Sequence, residues 1–169
     1  AKNEISKYIN ISVEKIFVVG NTYHPVYSKY ISSTTENFHS NDNIFKLLVL
    51  SAFYPHKNLE IINKIIPILK KKTERKFTFY LTINENDFKG NFHNDQYIIN
   101  IGPQKIEDCP KLYQKSDALF LPTLLETYSA NYPEAMIMRK PILTSGLDFA
   151  IDVCKDAALY VDPLNPEDI

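Results

Sequence analysis

Residues 118–145 read ALFLPTLLETYSANYPEAMIMRKPILTS, and the succession of patterns inside this stretch decides the fold. Ala118 to Leu121 is an unbroken apolar run, as expected of a strand buried on both faces. A polar turn carrying Glu126 follows. A helical stretch comes next, with Glu134 in or near its first turn, and it closes before Pro141 because the residue before a proline is pushed out of helical geometry. Pro141 to Ser145 begins another strand. Strand, loop, helix and strand in this order make a parallel unit with a crossover. Glu126 and Glu134, eight positions apart, stand at its mouth, where open α/β sheets bind ligands.

The same alternation extends in both directions. KLLVLSAF (46–53) predicts a first core strand, and Leu59, Ile62, Ile65, Ile66 and Leu69 recur at helical spacing behind it. FTFYLTI (77–83) and YIINI (97–101) predict two more strands, a short helix is expected at Cys109–Lys115, and ALYV (158–161) predicts the last strand. The connection NENDFKGNFHNDQ (84–96) has no helical pattern and is expected to be a loop. Residues 44–169 therefore predict a Rossmann-like parallel sheet with flanking helices. Residues 1–43 predict an interdomain segment: an amphipathic start, one strand at Lys15–Val19, and a polar stretch with SSTTENFHSND (32–42) as surface loop or tether. Asn165-Pro-Glu-Asp-Ile reads as the start of a helix, so the chain is expected to be an excised domain truncated at its C-terminal helix.

Composition closes off several function classes. A net charge of −1 argues against a nucleic-acid partner, and no apolar run has the length of a membrane span. Two isolated cysteines, Cys109 and Cys154, without C-x-x-C spacing suit a reducing, cytoplasmic setting. Four glycines in the whole chain leave no room for a Walker A loop or a G-x-G-x-x-G fingerprint, which disfavours a dinucleotide-dependent epimerase.

Chemistry is expected where the loops leave the carboxyl ends of the strands. Lys57 follows the first core strand, Gly102 the third, Thr123 to Ser129 the fourth, and Ser145-Gly146 the fifth. In the usual doubly wound order the first and fourth loops flank one crevice, so Lys57 should face Glu126. Helix N-terminal amides and Lys57 could hold a diphosphate. Glu134 could accept hydrogen bonds from a vicinal diol, and Glu126 could orient a sugar and offset positive charge at its anomeric carbon. No D-x-D pair suggests metal-held phosphates, and no metal site is expected. Blander roles exist for the same residues. Asn131 and Glu134 fit a capping box, Lys57 could merely start a helix face, and the basic run Lys70-Lys71-Lys72 complements a helix dipole better than it marks a lipid site.

ALFLPTLLETYSANYPEAMIMRKPILTS resembles the E-x7-E block of the group 1 retaining glycosyltransferases, VxxxPSxxEGFGxxxxEAMAxGxPVIAS. IFVVGNTYHPVY resembles the interdomain segment IxVIPNGVD, and LLVLSAFYPHKNL resembles VGRLxxxKG. YIINIG resembles the strand before the base-binding loop, and DVCKDAALYVDP resembles EVxxDGxxGLLVxP. Five matches in the right order cover most of the chain. The resemblance implies the C-terminal, donor-binding lobe of a GT-B enzyme. Such an enzyme transfers a hexose from a UDP- or GDP-sugar to a glycan or lipid acceptor with retention, in polysaccharide synthesis. By this analogy Glu126 is the catalytic residue at the donor sugar. Lys57 and the backbone near Tyr128 and Ser129 take the phosphates, Glu134 the ribose, and the Gly102 loop lies beside the base. No cofactor is implied. The acceptor site belongs to a missing N-terminal lobe, so the fragment alone is expected to be inactive. The full enzyme is expected to be cytoplasmic, with peripheral contact at the inner face of the membrane. Three departures matter: Pro133, just before Glu134, must lie in the first turn of its helix to be tolerated, Ala52 or Phe53 stands where the family has an arginine, and Thr127-Tyr128-Ser129 replaces G-F-G. The last two motivate the alternative of a degenerate lobe serving as a non-catalytic interaction module.

Overall fold

The computed structural model describes residues 2–17, 19–31, 43–93 and 96–169. The expected loop SSTTENFHSND lies outside the described residues. The chain opens with helix α1 (Lys2–Ile9) and two 3-10 helices, Val13–Lys15 and Pro25–Tyr30. Strands and helices then alternate: β1 (Ile44–Val49), α2 (Ile61–Lys72), β2 (Lys76–Leu81), α3 (Glu85–Asn91), β3 (Ile98–Asn100) and α4 (Cys109–Lys115). The second half runs β4 (Ala118–Leu121), α5 (Asn131–Ile137), β5 (Ile142–Ser145), α6 (Asp148–Cys154) and β6 (Ala158–Val161).

The six strands form one parallel sheet in the order β3-β2-β1-β4-β5-β6. The order reverses between β1 and β4, where Leu47 pairs with Ala118 and Leu48 with Leu119. Apolar residues on both faces of the strands build two cores, because successive side chains point to opposite sides. Leu47, Val49, Phe79 and Phe120 pack with Ile61, Ile62, Ile65 and Ile66 of α2 on one side. Leu48, Leu119 and Leu121 pack with Tyr113 of α4, Tyr132 and Ala135 of α5, and Ala150 of α6 on the other. Tyr27, from the 3-10 helix before the sheet, is buried in this second core. Pro133 sits in the first turn of α5, where its missing N–H would have had no intrahelical partner.

Two sequence expectations fail. The NENDFKGNFHNDQ connection contains a helix, α3. Asn84 caps it by accepting from Asp87 N at 2.9 Å, and Phe88 and Phe92, stacked at 5.7 Å, bury one face. Two aromatic anchors and a cap suffice here, although Gly90 and several asparagines weaken the periodic pattern. The strand expected at Lys15–Val19 does not form among the described residues. Phe17 and Val19 are 83% and 89% exposed and pair with no edge of the sheet, and an unpaired strand has no partner for its backbone groups.

Candidate functional site

The reversal point places the loops after β1 and β4 side by side. The β1 loop closes in a 3-10 turn, Pro55–Lys57, and then turns through Asn58, which is left-handed at φ 54. Asn58 Nδ2 donates to Pro122 O at 3.1 Å and to Pro163 O at 2.8 Å, pinning this loop to the exits of β4 and β6. Leu124 N donates to His56 O at 2.7 Å, and Thr123 Oγ1 lies 3.0 Å from the same oxygen. Ser145 Oγ, fully buried, donates to Thr123 O at 2.6 Å. On this braced floor Lys57 Nζ donates directly to Glu126 Oε1, closing an ion pair between residues 69 positions apart. The two side chains are 18% and 11% exposed, so the pair is largely shielded from open solvent. Thr123 Oγ1 also lies 3.4 Å from Glu126 Oε1 and limits the carboxylate's freedom from below. Thr123, Asn58 and Ser145 fall within the segments the sequence marked, but the bonds that make them supports were not expected from it.

Glu134 is positioned differently. Asn131 does not cap α5: its Nδ2 donates to Leu50 O on the β1 loop, Ala130 flanks the helix, and the capping box weighed as the blander role is absent. Glu134 is only 5% exposed and turns towards α4, where Tyr113 Oη donates to its Oε2 at 3.2 Å. Burial raises its pKa above 4.5, and hydroxyls of Tyr27 and Tyr113 together with His24 pull the other way. Cys109 is pushed up to about 11, by burial first and by Glu134 second. With seven residues, α5 offers little dipole at its mouth.

Of the remaining expected residues, Ser129 is buried at 6% and Tyr128 Oη donates to Asn21 O at 2.9 Å, tying the Glu126 loop to the N-terminal segment. Gly102 has φ +73, a left-handed geometry that explains glycine there, and Gln104 Nε2 braces its turn through Ile101 O and Gly102 O at 2.8 and 2.9 Å. Pro103 and Gln104 line a cavity of about 430 Å³ with Ala52, Tyr54, Thr82 and Asp87 at the carboxyl ends of β1 to β3. Both Ala52 and Phe53 line this cavity; Ala52 is exposed, and Phe53 also packs edge to face on Phe92 at 6.1 Å. Among the described residues no helix is long and apolar enough to cross a membrane.

Comparison with known proteins agrees with this geometry. Residues 44–169 match the family model described as glycosyl transferases group 1. The O-antigen chain mannosyltransferase RfbU of Salmonella typhimurium is 25% identical over 171 residues, covering 96% of this chain and 44% of that protein. The crystal structure of a glycosyltransferase from Rickettsia africae matches with a TM-score of 0.71 at 18% identity, over 99% of this chain and 48% of that one. A UDP-forming trehalose-phosphate synthase from Burkholderia vietnamiensis matches with a TM-score of 0.59 at 12% identity, over 75% and 35%. The chain therefore spans less than half of each relative, and its sheet is the Rossmann-like lobe of their GT-B architecture. A family match reaching from the first residue of β1 to Ile169 establishes that this chain belongs to the group 1 glycosyl transferases.

Proposed function

We propose that this chain is the donor-binding lobe of a glycosyltransferase that moves a hexose from a nucleoside-diphosphate sugar to a glycan or lipid acceptor with retention. The observation that carries the reading is the Lys57–Glu126 pair at the point of strand reversal. In this reading the bond between the anomeric carbon and the diphosphate breaks, a bond from that carbon to the acceptor oxygen forms on the same face, and the acceptor's proton leaves with the diphosphate. Lys57, with backbone near Tyr128 and Ser129, offsets charge on the departing phosphates. Glu126 orients the sugar and offsets positive charge at the anomeric carbon. Glu134 takes the ribose, and the Gly102 turn lies beside a uracil or guanine base. The acceptor comes from a second lobe, which fits coverage of only 44% of the mannosyltransferase, so this chain alone binds nucleotide weakly and transfers nothing. A role in polysaccharide synthesis follows the same relative, named for O-antigen chains, and a cytoplasmic location at the inner face of a membrane is part of the same proposal.

Calorimetric titration with UDP, GDP and ADP tests the reading: binding of at least one at millimolar concentration is expected, and binding of none removes the donor site. Glu134→Ala should weaken binding more than Glu126→Ala, since Glu134 alone is assigned to the ribose. Ala52 or Phe53, standing where the resembled family pattern has an arginine, and Thr127-Tyr128-Ser129 in place of G-F-G motivate a second reading as a degenerate lobe used for interaction. Ala52→Arg separates the two, because a gain in nucleotide affinity marks a working site and an unchanged affinity marks a degenerate one.

A further inference from the structure

Glu134 does not stand alone in its pocket. Tyr113, fully buried on α4, donates to one of its oxygens. Tyr27 packs edge to face on Tyr113, with ring centres 6.0 Å apart, and is itself 0% exposed. The Tyr27 hydroxyl faces Glu134 and Cys109, yet it is buried with no hydrogen bond of normal geometry. A buried hydroxyl without a partner is costly, and folded proteins rarely leave one without a use. The titratable groups around the carboxylate are Tyr113 and Cys109 from α4, Tyr27 and His24 from the segment before the sheet, and Tyr128 from the Glu126 loop.

We infer that Tyr27 and Tyr113 are positioning residues, which hold the Glu134 carboxylate in the rotamer that presents its second oxygen to a ribose diol. The inference rests on the donor-site reading above and deepens it. A glutamate has a long, freely rotating side chain, and a bidentate contact to two vicinal hydroxyls requires one orientation; fixing it in advance lowers the entropy lost on binding. A buried carboxylate also needs donors if it is to stay ionised and accept hydrogen bonds from a ligand. Tyr113 supplies one donor already. The unpaired Tyr27 hydroxyl is the spare one, closing on the carboxylate when ligand hydroxyls draw it towards the crevice. Tyr27 also lies outside the 44–169 family match, on the segment that Tyr128 holds through Asn21. Ribose recognition is thereby linked to how the N-terminal segment is seated.

The test combines two readouts on wild type, Tyr113→Phe, Tyr27→Phe and Glu134→Gln, each checked for folding by thermal melting. One is a carbon-13 NMR titration of the Glu134 carboxyl, assigned by its loss in Glu134→Gln. The other is calorimetric affinity for UDP and GDP, each against its 2′,3′-dideoxy counterpart. Tyr113→Phe should raise the carboxyl pKa and reduce the ribose-over-dideoxy preference about tenfold, leaving dideoxy affinity unchanged. Tyr27→Phe should shift both readouts in the same directions by less. A carboxyl titration unmoved in both phenylalanine variants overturns the inference, as does a preference that survives them while Glu134→Gln abolishes it. A wild-type chain that binds both sugar forms equally, or binds neither, removes the donor-site reading instead, and the ribose role of the tyrosines falls with it.

Discussion

Glu126→Gln should lower the stability of this chain while raising its affinity for a nucleoside diphosphate, and the opposed signs follow from the Lys57 contact. At contact distance and the effective dielectric of a partly buried site, the attraction between the two charges is roughly 4 kcal/mol. Taking both out of water returns much of that. Exposed pairs are worth about 0–1 kcal/mol and breaking a buried pair costs about 3–5 kcal/mol, so side chains 18% and 11% exposed place the loss near 2 kcal/mol. For a chain of 169 residues this lowers the melting temperature by roughly 4–8 °C. An incoming diphosphate experiences the reverse. In the wild type it must share the Lys57 ammonium with a carboxylate of its own sign. Such a carboxylate about 8–10 Å from a phosphate charge repels by about 2 kcal/mol, or about 1 kcal/mol after salt screening, which is roughly fivefold in affinity. Lys57→Met should lose similar stability but bind the nucleotide about tenfold more weakly, having lost the cation itself. Thermal melts and calorimetry with UDP and GDP on the three proteins read both quantities. The reasoning is refuted if Glu126→Gln loses affinity along with stability, or if Lys57→Met binds like the wild type.

Burial raises the Glu134 pKa above 4.5, so the folded chain holds that proton more tightly than the unfolded one, and stability falls as pH rises from about 4.5 through the folded value. Glu134→Gln should accordingly gain melting temperature relative to wild type between pH 4 and pH 8, and a gap constant over that range would show the carboxyl to be unperturbed. Phe53→Arg, unlike arginine at Ala52, should cost about 2 kcal/mol in a denaturant melt because it removes the ring packed on Phe92; an equal stability for the two arginine variants would contradict the packing. Arg139 ends α5 in left-handed geometry at φ 55, so Arg139→Gly should stabilise by about 1 kcal/mol, or roughly 2–4 °C, and a loss of stability would mean its side chain makes a contact of greater worth.

The sheet was legible because its strands are apolar on both faces and separated by helical periods, a pattern with few alternative interpretations. Helix α4 was placed on its observed bounds by Leu112 and Tyr113 with Cys109 before them. What escaped was held by other means. Helix α3 depends on a side-chain cap and two phenylalanines rather than a stripe, and Lys15–Val19 has β-forming residues but no neighbour to pair with. At the site, the charges declared themselves through spacing, and the topology brought Lys57 to Glu126 across 69 positions. The bonds made by their supports could not be seen beforehand. Thr123, Asn58 and Ser145 act through backbone oxygens contributed by distant loops, and a one-dimensional pattern carries no record of which carbonyl a hydroxyl will reach.

On the donor-site reading, the replaced glycines would shift the burden of phosphate binding. A glycine lets backbone amides approach an anion closely, whereas Thr127-Tyr128-Ser129 carries side chains at all three positions. Here the turn is stiffened instead, with Tyr128 tied to Asn21, Ser129 buried, and the loop's base locked through Thr123 to His56 and Ser145. In the donor-site reading, a loop held by these bonds would leave more of the attraction for the phosphates to the Lys57 charge. Point charges at a partly exposed site are screened over about 8 Å at physiological ionic strength, while short amide contacts are much less sensitive. Nucleotide affinity in this chain should therefore fall steeply with salt, and Ala52→Arg, by adding a second cation on the cavity wall, should steepen that dependence while raising the affinity at every salt concentration.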